Sequence, residues 1–450
     1  MAVSFTSRRR PQELVTPARP TPHEYKAVSD IDDQRSLRYY PAGIEFFRCR
    51  YDAASASARD IADPVGAIRA ALAEALVNYY PLAGRLLELP EAGGKLLVNC
   101  TAEGVVFVEA DADVRLEDLG QALAPPYPCV EELLCCNTGE PEETVIGKPL
   151  LFFQKVRLQY FLILEHAFQP RLPTRAWRNA TLLPVWERHL LTARAPAGSM
   201  STHKHTAYDE VASSAADVIW KTPLEHMVTR YFRLGLKEIA AIRSQVDPSS
   251  DLRQSATTLE LVAAAVWRCR TAALEYPPCQ VVRGIFWSSA RGSWKPDRSP
   301  IPKGFYGNAL IPQTAEATAG ELCGRPLGHA LELVRAAKLD VTDEYMQSLL
   351  DTLVKSGRPF HSLDWTLSMA DTSSISRRAA SLGIRWERAG GGITMAGPAR
   401  VTSLHCYYDR WKRGGEEFVA VSMCLPPAAM ERFAEKITAW AKKSVVKSAL

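Results

Sequence analysis

Asp63-Pro64-Val65-Gly66-Ala67-Ile68-Arg69-Ala70-Ala71-Leu72-Ala73-Glu74-Ala75-Leu76-Val77-Asn78-Tyr79-Tyr80-Pro81-Leu82-Ala83-Gly84-Arg85-Leu86 is the stretch whose reading decides the fold class. Asp63 offers a capping oxygen to a free backbone N–H, and Pro64 suits the first helical position, where no donor is needed. Ile68, Leu72 and Leu76 recur every four residues and form one apolar stripe. Proline drives the residue before it out of helical geometry, so the spacing predicts a helix that stops ahead of Pro81. Beyond it, Lys95 to Cys100 and Val105 to Val108 read as strands, joined by Glu103 and Gly104 as a predicted hairpin. Helix followed by strands makes this part of the chain mixed α/β.

The same composition returns downstream. Thr257 and Glu260 have capping-box spacing ahead of Val262, Val266 and Cys269. Leu327, Leu331 and Val334 mark a further helix. Another starts at Thr342 and buries Met346, Leu349, Leu350 and Leu353. Phe418 to Cys424 reads as a buried strand, broken by Pro426 and Pro427, before a helix presenting Met430, Phe433, Ile437 and Trp440. Between the two blocks, Pro196 to Ser214 is polar and rich in Ala, Ser, Thr and His. The chain's 450 residues exceed what a single core supports. The pattern therefore predicts an N-terminal domain over 1–195, a crossover linker over 196–215, a C-terminal domain over 216–450, and a ligand cleft between the domains.

Composition narrows the function classes. Apolar residues are 47% and charged residues 23%, values typical of a globular chain. The net charge is +4 and is spread along the sequence. Its one dense run, Arg8-Arg9-Arg10, reads as a solvated N-terminal tail rather than a nucleic-acid surface. No run approaches about 18 apolar residues, so no membrane span is expected. Met1 to Gln12 lacks the apolar core of a secretory signal, which makes a cytoplasmic protein the expectation. Cys49, Cys100, Cys129, Cys135, Cys136, Cys269, Cys279, Cys323, Cys406 and Cys424 form no Cys-x-x-Cys pair. They read as free thiols, with no zinc or other metal site.

Several segments resemble the plant BAHD family of acyl-CoA-dependent acyltransferases, of the alcohol benzoyl- and acetyltransferase type. They are Ser29-Asp30-Ile31-Asp32-Asp33-Gln34 followed by Leu37-Arg38-Tyr39-Tyr40, then Tyr79-Tyr80-Pro81-Leu82-Ala83-Gly84-Arg85-Leu86. Further along come Val145-Ile146-Gly147-Lys148-Pro149-Leu150-Leu151, Pro184-Val185-Trp186-Glu187-Arg188, Trp267-Arg268-Cys269-Arg270, Gly304-Phe305-Tyr306-Gly307-Asn308-Ala309 and Met423-Cys424-Leu425-Pro426. They stand in the family's order and span nearly the whole chain.

The resemblance implies two similar chloramphenicol-acetyltransferase-like α/β domains with mixed sheets and an interdomain channel. It implies an O-acyltransferase of plant specialised metabolism that moves an acetyl- or benzoyl-type group from acyl-CoA to a small alcohol or metabolite. Acyl-CoA would be the co-substrate, with no other cofactor, no nucleic acid, no membrane, and a monomer as the working unit. The histidine of a His-x-x-x-Asp motif would be the general base, because imidazole titrates near neutral pH. Its aspartate would pair with an arginine to hold the loop.

The sequence departs from the family at both of its signature motifs. His166 follows the apolar run Phe161-Leu162-Ile163-Leu164, as the family's catalytic histidine does, and is the candidate base. The position four later is Pro170, and the following glycine is also missing. Proline accepts no proton, pairs with no arginine and fixes φ, which predicts weak or no acyl transfer. Arg291 stands near the position of the aspartate-pairing arginine, so its guanidinium should either find another acceptor or be a solvated arginine after a strand. His205-Thr206-Ala207-Tyr208-Asp209 matches the motif literally. No apolar strand precedes it, and Glu210 and Val211 follow, so it reads as non-catalytic; His203 and His205 read as part of a solvated loop. Where the family has Asp-Phe-Gly-Trp-Gly, the chain has Gly383-Ile384-Arg385-Trp386-Glu387, and only Trp386 matches. The alternative is a protein that keeps the fold and binds acyl-CoA or a metabolite without catalysis.

Overall fold

The computed structural model describes residues 4–38, 40, 42–49, 64–119, 129–134, 145–158, 161–167, 183–194, 203–208, 217–291, 301–339, 341–360, 364–373, 386–393, 405–413 and 416–446. In chain order the main elements begin with β1 (Ser7–Arg9), β2 (Glu13–Val15), β3 (Tyr25–Ala27), β4 (Ala42–Cys49), α1 (Pro64–Asn78), β5 (Arg85–Leu89), β6 (Lys95–Asn99), β7 (Val105–Ala112), β8 (Phe152–Leu158) and β9 (Phe161–Ala167). They continue with β10 (Val228–Gly235), α2 (Leu236–Ser244), α3 (Thr258–Leu274), β11 (Val281–Ser289), β12 (Leu310–Thr318), α4 (Leu327–Leu339), α5 (Asp343–Lys355) and β13 (Thr366–Asp371). The last are β14 (Trp386–Ile393), β15 (His405–Arg413), β16 (Glu416–Leu425) and α6 (Pro427–Val446).

These elements form two compact units. The first takes Met1–Thr192 together with Arg291–Ala309 and Ser374–Thr402; the second takes Ala193–Ala290, Leu310–Ser373 and Ser403–Leu450. Two segments from the range 216–450 thus group with the N-terminal residues.

The first unit is built on a seven-stranded sheet of order β1-β7-β8-β9-β4-β14, with β2 also on β7, beside a three-stranded sheet β3-β6-β5. Helix α1 buries the predicted stripe, Ile68, Leu72 and Leu76, against Phe47, Phe107, Leu151 and Phe153. Leu72 and Leu76 are fully buried, a gain of about 2 kcal/mol each by area removed from water. The opposite face packs Ile44, Phe46, Ala110 and Val156 under Leu116 and Leu133. The alternation of Phe46 and Phe47 between these two cores is the period-two geometry of a strand. Asp63 lies outside the described residues, so its capping role does too.

The second unit carries a six-stranded sheet of order β10-β16-β15-β13-β11-β12. Its helices begin where the spacing predicts. Thr257 caps α3, with Glu260 N donating to Thr257 Oγ1 at 3.2 Å and Thr257 N donating to Glu260 Oε2 at 2.9 Å. Thr342 caps α5 by accepting from Tyr345 N at 3.1 Å. Met430, Phe433 and Ile437 of α6 are buried as expected, and the Trp440 side chain lies outside the described residues.

Two local expectations fail. The hairpin is absent: β6 pairs with β5 and β3, while β7 joins β1, β2 and β8 in the other sheet. Gly104 makes this crossing possible. Its φ is +97°, and a Cβ there would lie 2.5 Å from the Val15 carbonyl oxygen, so the bend turns the chain between sheets rather than back on itself. The arginine run is exposed as expected, but it is a paired strand rather than a tail. Arg8 and Arg9 belong to β1 and pair with Asp111 and Ala110 of β7. Arg9 donates to Gln154 Oε1 at 3.2 Å and to the Leu134 carbonyl at 3.1 Å, and Arg10 pairs with Glu109 at 3.1 Å.

Candidate active site

Strand β9 runs between β8 and β4, and this places His166 opposite Phe153 on one side and Gly43 on the other. His166 is therefore the second-last residue of an interior strand of the first unit's sheet. Its side chain lies outside the described residues, as do residues 168–182 with Pro170; the predicted place of His166 at a channel falls there with them. Two residues before it, Leu164 stands opposite Lys155. Lys155 is fully buried, and its Nζ lies 3.9 Å from Glu109 Oε1.

Phe153 belongs to the core that also holds Tyr79, Leu82, Phe107 and Tyr306. Four of the sequence segments singled out above, 79–86, 145–151, 184–188 and 304–309, contribute to that core. Tyr80–Ala83 forms a single 3-10 turn, and Gly84 follows it because a Cβ there would lie 2.2 Å from the Asn99 carbonyl oxygen. Arg85 is buried and donates to the Gly84 and Gly104 carbonyls at 2.8 and 2.9 Å. Tyr79 meets Tyr306 edge-on at 5.0 Å, and Trp186 meets Tyr306 at 5.7 Å. Burial pushes the Tyr79 hydroxyl up to about 12. Burial also raises Tyr306, with Arg188 opposing it. Both phenols are neutral at pH 7.

Asp32 ties these segments together. Its Oδ2 accepts from Ser29 Oγ at 2.8 Å and lies 3.0 Å from Arg188 Nε, and its Oδ1 accepts from Asn308 N at 2.8 Å. Arg188 is only 7% exposed and donates to the Trp186 carbonyl at 2.9 Å. Its guanidinium carbon stands 4.1 Å from the Trp186 ring centroid, 4.8 Å from Phe305 and 5.0 Å from Tyr306. Sequence reading placed Trp186, Arg188 and Tyr306 in family-like segments but gave them no role. Asp32 and Arg188 are far apart in sequence, and no local spacing signals their pairing.

Arg291 has the substitute acceptor it needs. Its Nη2 donates to the Gly307 carbonyl, and its guanidinium lies 5.7 Å from the Phe305 ring centroid. Trp386 opens β14 opposite Cys49 of β4, and its side chain lies outside the described residues.

The polar stretch expected to be a solvated loop is not one where it is described. His205 is 6% exposed, its Nε2 lies 3.0 Å from Ser348 Oγ, and its ring meets Tyr345 at 4.8 Å. Its Nδ1 is buried without a hydrogen-bond partner. Burial first, and neighbouring His203 second, hold the imidazole down at about 4. Asp209 lies outside the described residues. Among the described residues no group of three or more His, Cys, Asp or Glu is arranged to hold a metal ion, and no helix is long and apolar enough to cross a membrane.

The family model described as Transferase family matches residues 4–159 and 173–388. Its one interruption spans His166 and Pro170. Acyl transferase 1 of Oryza sativa subsp. japonica is 43% identical over 487 aligned residues, covering 100% of this chain and 99% of that protein. The alignment is longer than the chain, so that relative has stretches this chain lacks. Benzyl alcohol O-benzoyltransferase of Nicotiana tabacum is 40% identical over 452 residues, covering 96% of this chain and 93% of that protein. Among solved structures, vinorine synthase superposes with a TM-score of 0.68 at 16% identity, covering 97% of this chain and 98% of that one. It shares the fold of two α/β units with mixed sheets. On the matched family model and these full-length relatives, the chain belongs to the Transferase family, the BAHD acyltransferases.

Proposed function

We propose that this chain transfers an acyl group of the acetyl or benzoyl type from acyl-CoA to the hydroxyl of a small alcohol, with His166 as general base. The observation that carries the reading is the full-length match to a relative named for benzoyl transfer to benzyl alcohol, at 40% identity. In this reading the imidazole takes the proton of the acceptor hydroxyl as its oxygen attacks the thioester carbonyl. The C–S bond breaks, and coenzyme A leaves as a thiolate that takes up the proton. Imidazole suits the first transfer and the imidazolium it becomes suits the second, because the ordinary pKa lies close to neutral pH.

The rate should be low. General-base catalysis contributes about 10²–10⁴-fold, and a displacement of about 1 Å costs on the order of 100-fold. Pro170 leaves the loop after His166 without the carboxylate that the family pairs with arginine. The protein works as a cytoplasmic monomer in this reading; ten cysteines without a Cys-x-x-Cys pair suit a reducing compartment.

The test is turnover of acetyl-CoA and benzoyl-CoA with a panel of small alcohols, beside His166→Ala. Slow ester formation abolished by His166→Ala is the expected result. Turnover that survives His166→Ala places the base elsewhere. Coenzyme A binding with no ester from any alcohol supports the non-catalytic reading instead.

A further inference from the structure

We infer that Arg188 is a positioning residue for acyl transfer: its guanidinium is the hub of a clamp that fixes the turn 304–309, and through Tyr306 and Phe153 the strand end that carries His166. The inference rests on the acyl-transfer reading and deepens it.

Four observations converge. First, the guanidinium is sandwiched among Trp186, Phe305 and Tyr306, with ring centroids at 4.1, 4.8 and 5.0 Å. A broad, weakly hydrated guanidinium suits contact with three rings at once better than the compact ammonium of lysine. Second, its place depends on a missing side chain. A Cβ at Gly307 would lie 2.4 Å from Arg188 Nη1, 2.5 Å from Cζ and 2.9 Å from Nε. Third, the same turn is fixed by its backbone: Val185 N donates to the Gly304 carbonyl at 3.0 Å, Asn308 N donates to Asp32, and Arg291 donates to the Gly307 carbonyl. Fourth, the backbone just before Arg188 is strained, with Glu187 at φ +22° and ψ +47°. Such a conformation persists where its surroundings over-determine it.

One shared core links the clamp to the strand that carries His166. Tyr306 shares its core with Phe153, and Phe153 is the ladder partner of His166. In the family the motif aspartate and its arginine hold the catalytic loop. Here Pro170 cannot, and Arg291 is turned to the Gly307 carbonyl, so both arginines converge on one turn of the same unit. The clamp holds the sheet side of His166, which the loss of the loop's carboxylate leaves intact.

The test uses the full chain and compares Arg188→Lys, Gly307→Ala and the double variant. Lysine keeps the charge beside Asp32 and loses the stack; the Gly307 methyl pushes the guanidinium out while leaving Arg188 in place. Each single change should lower kcat about 10- to 100-fold, the scale of a small misplacement, with KM for acyl-CoA and Tm close to wild type. Because both changes break one device, the double variant should be no slower than the slower single variant. If one single variant fails to fold, the other still decides. Three outcomes overturn the inference: kcat unchanged in the folded single variants, losses that multiply in the double variant, or losses that only follow a fall in Tm. A wild-type chain with no turnover overturns the acyl-transfer reading, and the positioning role with it.

Discussion

Acid should loosen the second unit through one imidazole. His205 is buried with its Nε2 on Ser348 Oγ at 3.0 Å and its Nδ1 without a partner. Protonation would place an N–H donor on Nδ1 with nothing to accept it, beside the His203 ring at 6.5 Å and the Tyr345 ring at 4.8 Å. The ammonium of the adjacent Lys204 is exposed and lies 4.0 Å from Glu316 Oε2. Folding therefore holds His205 at about 4, against 6.5 for the free side chain. The unfolded chain binds this proton more tightly than the folded one. The stability linked to His205 is complete above the unfolded value and is lost as pH falls toward the folded value. At roughly 1.4 kcal/mol per tenfold in proton affinity, the full swing is about 3 kcal/mol. Between pH 7.5 and 4.5 most of it is spent, on the order of 2 kcal/mol.

The comparison that isolates it is wild type against His205→Gln. Glutamine keeps an amide for Ser348 and does not titrate. Urea unfolding at the two pH values should show the wild type losing about 2 kcal/mol more than His205→Gln. The other titrating groups are common to both proteins, and His203, which is coupled to His205, is held constant by making the same comparison in a His203→Gln background. Parallel losses in the two proteins would refute the reasoning, since a buried imidazole that costs nothing to protonate must already have an acceptor or water at Nδ1.

Two further outcomes follow from single buried groups in the same unit. Asp217 accepts from Ile219 N and Tyr276 OH, each at 3.0 Å, and from Trp365 N at 2.6 Å; Asp217→Ala orphans these donors and should cost about 3 kcal/mol or more in urea unfolding. Burial alone would raise Glu260, but hydrogen bonds from Thr257 N, Arg335 and Lys338 outweigh it and hold the carboxyl at about 2, below the ordinary 4.5. Its contribution is present above 4.5 and lost as pH falls toward 2, so acid unfolding followed by circular dichroism should be shallower in Glu260→Gln.

What could be read from the sequence was what depends on near neighbours. The stripe Ile68, Leu72 and Leu76, the capping pair Thr257 and Glu260, and the cap at Thr342 are set by residues three or four apart, and each appears where the spacing puts it. What failed depended on distant partners. Glu103 and Gly104 do carry turn chemistry, but a turn signal does not say which sheet the next strand joins, and β7 joined β8. Arg8, Arg9 and Arg10 are exposed as they look, but their pairing with β7, and the contacts of Arg9 and Arg10 with Gln154, Leu134 and Glu109, come from distant residues. His205 sat in a polar stretch, and Ser348 and Tyr345 of α5, distant in sequence, pack against it. The pairing of Asp32 with Arg188 is of the same kind. The segments were visible, and their convergence was not.

His166, just ahead of the first departure from the family, and Trp386, within the second, stand on strands that flank β4. β4 pairs with β9, which carries His166, and on its other edge with β14, which Trp386 opens. A ladder is made by backbone N–H and C=O groups that every residue but proline supplies. It therefore survives changes of side chain on both neighbours, as long as the backbone stays extended and one face stays apolar. β14 shows the tolerance: it keeps its pairing with β4 through a register shift between Arg388 and Gly390. Catalysis has no such tolerance, because it needs one imidazole held within about 3 Å of one hydroxyl. Fold and activity therefore rest on different atoms at this place in the molecule. A well-formed sheet says little about turnover, and a lost carboxylate at position 170 says little about folding. This is why His166→Ala is the informative change: it removes the imidazole, leaves the ladder's backbone groups in place, and separates the two.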